Sequence, residues 1–126
     1  MPFQVETHLN EAILILRYQS ITSEDLAAGI ETLQNFYQKL QQPFAVISNV
    51  AGLQLPFDFL VSGLDMLRRT MKGVPAHFSI VGSGEMVELG AKALGQKQYG
   101  FEVARVFASE AEAIAWSREQ LAAHSA

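Results

Sequence analysis

The chain opens on an alternation. In "FQVETHL", Phe3, Val5, Thr7 and Leu9 take turns with Gln4, Glu6 and His8, the period of a half-exposed strand. After the short Asn10-Glu11 break, "AILILRYQ" is almost continuously apolar, as suits a more central strand. The two predict an antiparallel hairpin, with Asn-Glu a weaker turn signal than Asn-Gly.

The period then changes. In "ITSEDLAAGIETLQNFYQKLQQP", Leu26, Ile30, Leu33, Phe36, Tyr37 and Leu40 recur at helical spacing. Thr22 or Ser23 caps the start, Glu24 and Asp25 suit the positive end of the helix dipole, and Pro43 prevents continuation. "FAVISN" from Phe44 predicts a short buried strand. After a loop with Gly52 and Pro56, a second helix carries Leu60, Leu64, Leu67 and Met71 on one stripe. Arg68, Arg69 and Lys72 complement its dipole, and Gly73 with Pro75 stops it.

The same alternation continues to the end of the chain. "AHFSIVG" predicts a strand, "SGEMVELGAKALG" a short helix, "FEVARVF" a strand and "ASEAEAIAWSREQLAAH" a final helix, with Ser109 and Glu112 spaced as a capping box. The order ββαβαβαβα predicts an α/β fold: a mixed five-stranded sheet, mostly parallel after the hairpin, with four helices. The helices fit either one face of the sheet or both.

Composition narrows the classes. The 126 residues, 49% apolar and 17% charged, suit one domain, residues 1–126, with a single core. A formal charge of −4 and scattered basic residues argue against nucleic acid. The absence of cysteine excludes disulfides, thiol catalysis and zinc-finger spacing, and fits a reducing compartment. The start "MPFQVETHLN" does not read as a signal peptide, and no apolar run approaches the roughly 20 residues of a spanning helix. A soluble, cytoplasmic protein is the expectation.

The opening hairpin, the long first helix, "FAVISNVAGL" followed by a helix, and "VARVFASEAEAIAW" with its acidic cap and Trp116 together resemble the SpoIIAA-like group of STAS domains. That is the fold of anti-sigma-factor antagonists and of the cytosolic domains of some anion transporters, and the resemblance covers most of the chain. In the antagonists a serine at the start of the helix after the third strand, in a context like Asp-Ser-Ser-Gly-Leu, is phosphorylated by a partner kinase. Related SpoIIAA-like proteins commonly lack it. Ungapped alignment puts Asp58 and Phe59 where the two family serines stand, leaving no phosphoacceptor. A few extra loop residues instead put Ser62, Gly63 and Leu64 over Ser-Gly-Leu, with Leu60 in place of the acid.

Helix geometry bears on the two registers. A helix starting near Pro56 to Asp58 has Ser62 in its second turn, where amide donors are engaged, with Asp58 one turn behind as a like-charge neighbour. Ser62 lies about 200° from Leu60 around the helix and is expected to be exposed. A solvated helix serine and a first-turn or N-cap acid are the plain readings of Ser62 and Asp58.

Other chemistry is sparse. Gly82, Ser83 and Gly84 in "VGSGEM" stand where a helix start could hold an anion, but Glu85 follows and neither a dinucleotide motif nor a P-loop is present. His8, His77 and His124 have no metal-site spacing and are expected to be partly exposed strand or tail residues. Ser48 and Asn49 fall at the rim where open α/β sheets bind ligands. No cofactor motif and no nucleophile, base and orienting group emerge, so an enzyme is not expected.

Leu53, Leu55, Phe57, Phe59 and Val61 place large apolar groups at every second position, more than one core-facing stripe uses. The leading expectation is a non-enzymatic STAS-like regulatory or protein-interaction domain, contacting a protein partner or its own second copy through the segment from Leu53 to Ser62. The alternative is a carrier of a small apolar, lipid-like ligand, as lipid-binding relatives of the fold group allow. A third is an anti-sigma-factor antagonist phosphorylated at Ser62.

Overall fold

The computed structural model describes residues 3–19, 22–53, 76–82 and 104–125, together with Asp58, Ser62, Arg69 and Glu88. Ile13, Leu14, Ile15 and Leu16 are all fully buried or nearly so, and a strand sends successive side chains to opposite faces. That run therefore needs a cover on each side. Its strand, β2 (Ile13–Tyr18), pairs antiparallel with β1 (Phe3–His8) and parallel with β3 (Phe44–Asn49). Then β4 (Ala76–Val81) and β5 (Ala104–Phe107) follow, each parallel to its neighbour, in the order β1-β2-β3-β4-β5.

The two described helices cover the two faces. Helix α1 (Ser23–Leu40) brings Leu26, Ile30, Leu33 and Phe36 onto Leu14, Leu16, Val46, Phe78 and Ile80. Helix α2 (Glu110–Ser125) sets Ala113 against Ile13, Ile15, Ala45, Ile47 and Val81. The choice between one face and both, open in the sequence, resolves to both. Among the described residues there are two α-helices rather than the expected four. The two helices expected between β3 and β5 fall outside the described residues, apart from Asp58, Ser62, Arg69 and Glu88, each helical and exposed.

The caps follow the expected chemistry. Thr22, with extended backbone, opens α1, and its Oγ1 accepts from the Asp25 amide at 3.1 Å. Gln41 ends it in the left-handed region at φ 52°, its amide donating to the Tyr37 carbonyl at 2.7 Å. Ser109 opens α2: its Oγ accepts from the Glu112 amide at 3.3 Å, the N-cap half of the box the spacing predicts, while the Glu112 carboxylate accepts from the Ser109 hydroxyl at 3.1 Å rather than from its backbone amide.

Three expectations are corrected. The hairpin does not turn on Asn10-Glu11 alone: a 3-10 turn, Leu9–Glu11, is followed by Ala12 at φ 58°. A left-handed alanine carries strain, and here its methyl is buried and its carbonyl accepts from the Ala45 amide at 2.9 Å. In β1 the burial is inverted. Val5 and Thr7 are exposed while Glu6 and His8 are half-buried, because β1 turns Glu6 and His8 toward Arg17 and the start of α2. Third, His77 is buried, its ring edge-to-face with Trp116 at 6.4 Å between centroids. It lies on the face covered by α2, beside Phe107, which meets the same indole at 5.7 Å. The buried Ser79 hydroxyl two residues on has no hydrogen-bond partner among the described residues, which is unfavourable in the same layer.

Candidate functional site

The carboxyl ends of β2, β3 and β4 form the rim at which open α/β sheets bind ligands. Strand parity decides which side chains stand there. Arg17 follows Ile13 and Ile15 onto the α2 face, Asn49 follows Ala45 and Ile47, and the two are register partners. An arginine on a covered face requires a carboxylate. Glu110, the first residue of α2, supplies it in a bidentate fork: Nε donates to Oε2 and Nη2 to Oε1, both at 2.8 Å. Nη2 also donates to Glu6 Oε1 at 3.0 Å, so one guanidinium joins β1, β2 and α2.

Asn49 extends this network into the chain leaving β3. Its Nδ2 donates to Glu110 Oε2, and its Oδ1 accepts from the Ala51 amide at 3.0 Å. The Leu53 amide then donates to the Val50 carbonyl at 3.0 Å, closing a turn whose third position is Gly52 at φ 81°, the position where a type II turn needs glycine. Val50 itself donates to the Val81 carbonyl at 2.9 Å. Two hydrogen bonds, from Val50 to Val81 and from Ala51 to Asn49, thus tie residues 50–53 to the sheet, and through Asn49 to α2.

The electrostatics agree with the geometry. The hydrogen bonds from Arg17 hold the Glu110 carboxyl below its ordinary value against the opposing effect of burial, with Asn49 assisting. Arg17 and then His8 lower Glu6 in the same way, and the two carboxylates raise Arg17 further above its already high value. A carboxyl lowered in the folded state contributes stability above its ordinary range, and loses it as the pH falls through the lowered value. The network therefore stands charged at neutral pH.

On the α1 side of the same rim lie Tyr18, Asp25 and Ser48. Asp25 is 1% exposed and Ser48 is buried. Burial, and then the Asp25 carboxylate, push the Tyr18 hydroxyl up to about 12. This hydroxyl lies against α1 at Gly29, where a Cβ would come within 3.2 Å of Tyr18 Cζ and closer still to Oη.

The expected site residues distribute unevenly over this frame. Leu53 is half-buried and packs against the α1-side core. Asp58 and Ser62 have helical backbone and exposed side chains, as the helical reading of Ser62 required. Leu55, Phe57, Phe59 and Val61 lie outside the described residues, as do Ser83 and Gly84. The Gly82 amide donates to the Phe107 carbonyl at 3.1 Å, so it is engaged in β4–β5 pairing and is not a free donor for an anion.

The histidine at the hairpin also finds partners. His8 Nε2 lies 2.5 Å from Glu6 Oε2, while its Nδ1 lies 3.9 Å from Glu11 Oε1. The two carboxylates meet opposite ring nitrogens, and Glu11 is already held by Arg118 of α2. Among the described residues no cluster of three or more His, Cys, Asp or Glu could hold a metal ion, and no helix is long and apolar enough to cross a membrane.

Sequence reasoning missed the Arg17, Glu110 and Asn49 cluster. Its signal was present in "ILILRY": parity continues the buried Ile13 and Ile15 to a cation, which calls for an acid from whatever covers that face.

No family model and no curated protein matches the chain. The crystal structure of an uncharacterized protein from the DUF3478 family with a SpoIIAA-like fold, from Shewanella loihica PV-4, is similar over 91% of both chains, with a TM-score of 0.64 and 17% sequence identity. Likeness at that identity speaks to the fold alone. The chain has a SpoIIAA-like fold.

Proposed function

We propose that the chain is a non-enzymatic interaction domain whose contact surface lies beyond the turn at residues 50–53 and includes Asp58 and Ser62. The reading is supported by one observation above all: these two polar side chains are exposed on helical backbone, just beyond a turn whose Val50, Ala51 and Leu53 amides are all hydrogen-bonded. The turn that precedes them in sequence is itself held by hydrogen bonds, and that part of the segment loses little entropy when a partner binds. The partner is a protein, either another chain or a second copy of this one.

The test compares wild type with an Asp58→Arg, Ser62→Arg double variant in affinity capture from the native cell extract and in size-exclusion chromatography with light scattering. Both positions are exposed, so the variant should keep its melting temperature. A captured protein or a dimer present in wild type and lost in the variant is the expected outcome. Identical captured proteins and identical mass in both would overturn the reading. Native mass spectrometry adds a further arm: an apolar small molecule on an otherwise monomeric protein would replace it with the carrier.

A further inference from the structure

We infer that Arg17, Glu110 and Asn49 act as positioning residues that couple the seating of α2 on the sheet to the geometry of the 50–53 turn. What the turn serves rests on the proposed contact surface; the coupling itself needs no partner.

The three residues come from three elements and converge on one carboxylate. Arg17 is fixed by β2, Asn49 by the last residue of β3, and Glu110 by the first turn of α2. Glu110 Oε2 accepts from both Arg17 Nε and Asn49 Nδ2. That shared oxygen fixes the rotamer of Asn49, with its amide nitrogen toward α2 and its oxygen toward the Ala51 amide. If α2 shifts, Glu110 leaves, Arg17 turns to Glu6, and Asn49 loses the contact that orients its oxygen. The turn then loses the side-chain acceptor for Ala51. Charge-assisted bonds carry more energy than neutral ones, so the strongest links sit at the helix end of this relay and the weakest at the turn.

Coupling of this kind is reciprocal. Gly52 offers a clean way to push from the other end, because a Cβ there meets no atom of the described residues within 4 Å while its φ of 81° penalises any side chain. Gly52→Ala therefore strains the turn without a clash.

The experiment is amide hydrogen exchange by NMR on the full chain, for wild type, Arg17→Gln, Glu110→Gln and Asn49→Asp. Asn49→Asp keeps an acceptor for Ala51, but its carboxylate loses the donor to Glu110 and is repelled by it, so the acceptor is no longer held in place. Exchange at Ala51 and Leu53 is expected to rise about tenfold, with the Ile47 amide in the middle of β3 slowed or quickened only as global stability dictates. Side-chain carbon NMR of Gly52→Ala completes the test: Glu110 should titrate closer to its ordinary value than in wild type. Unchanged rates at Ala51 and Leu53, rates that rise only in step with Ile47, or an unmoved Glu110 titration would each overturn the coupling. None of these outcomes bears on whether Asp58 and Ser62 meet a partner, so the two ideas fail separately.

Discussion

Phe44→Ala is expected to remove roughly 4 kcal/mol of folding stability, a large share of what a domain of this size possesses. Phe44 opens β3, is completely buried, and sits between two aromatic rings of α1. Phe36 meets it edge-on at 5.6 Å and Tyr37 stacks on it at 5.7 Å with the ring planes 28° apart. Truncation removes the apolar area, both ring contacts and the filling of a space that the rigid sheet and helix cannot close. Urea denaturation followed by the single tryptophan, Trp116, gives the difference. A loss below about 1.5 kcal/mol would mean that α1 repacks against β3, and that the α1 face is not the close-packed layer described.

Gly29→Ala should destabilise by about 1 to 2 kcal/mol, although alanine is the better helix former by about 1 kcal/mol. The added methyl would press on the Tyr18 hydroxyl, whose ring is held between the end of β2 and α1. In a Tyr18→Phe background the closest atom is gone, and the same change should become neutral or stabilising by up to about 1 kcal/mol. The change of sign is the informative result. If Gly29→Ala stabilises the wild-type chain, helix propensity governs the site and the close approach of Tyr18 does not.

Much of this architecture was legible because burial and period agree. The apolar run from Ile13 to Leu16 read as a central strand, "FAVISN" as a buried one and "AHFSIVG" as a strand; all three are interior strands of the observed sheet. Thr22 or Ser23, and Ser109, announced the starts of α1 and α2 because a hydroxyl before an acidic first turn has few other uses, and of the first two Thr22 proves to be the cap. The inverted burial of β1 was not legible. Alternation in "FQVETHL" gives the period but not the sign, and the sign depends on Arg17 drawing Glu6 inward. His77 misled for the opposite reason: a polar letter in a strand looks exposed, and only the position of Trp116 in space turns it into a core residue.

The rim was half legible. The end of β3 pointed to Asn49, and its hydrogen bond to the Ala51 amide is the ordinary loop role expected of an asparagine there. What periodicity could not supply was the partner from 61 residues further along the chain. Local pattern carries no information about which helix start will arrive over which strand end. The antagonists' phosphorylated serine posed the same difficulty in reverse. Asp58 and Ser62 compete for one family position in sequence, yet both occur on helical backbone with side chains in solvent.

The most direct measurement is site-specific photo-crosslinking in the native cell. A photoreactive phenylalanine derivative would be placed in turn at positions 58 and 62, and at the exposed control positions of Glu31 on α1 and Glu119 on α2. A contact surface at Asp58 and Ser62 predicts a protein adduct of discrete mass from positions 58 and 62 and none from 31 and 119. Adducts only from the control positions, or no adduct from any of the four, would contradict it.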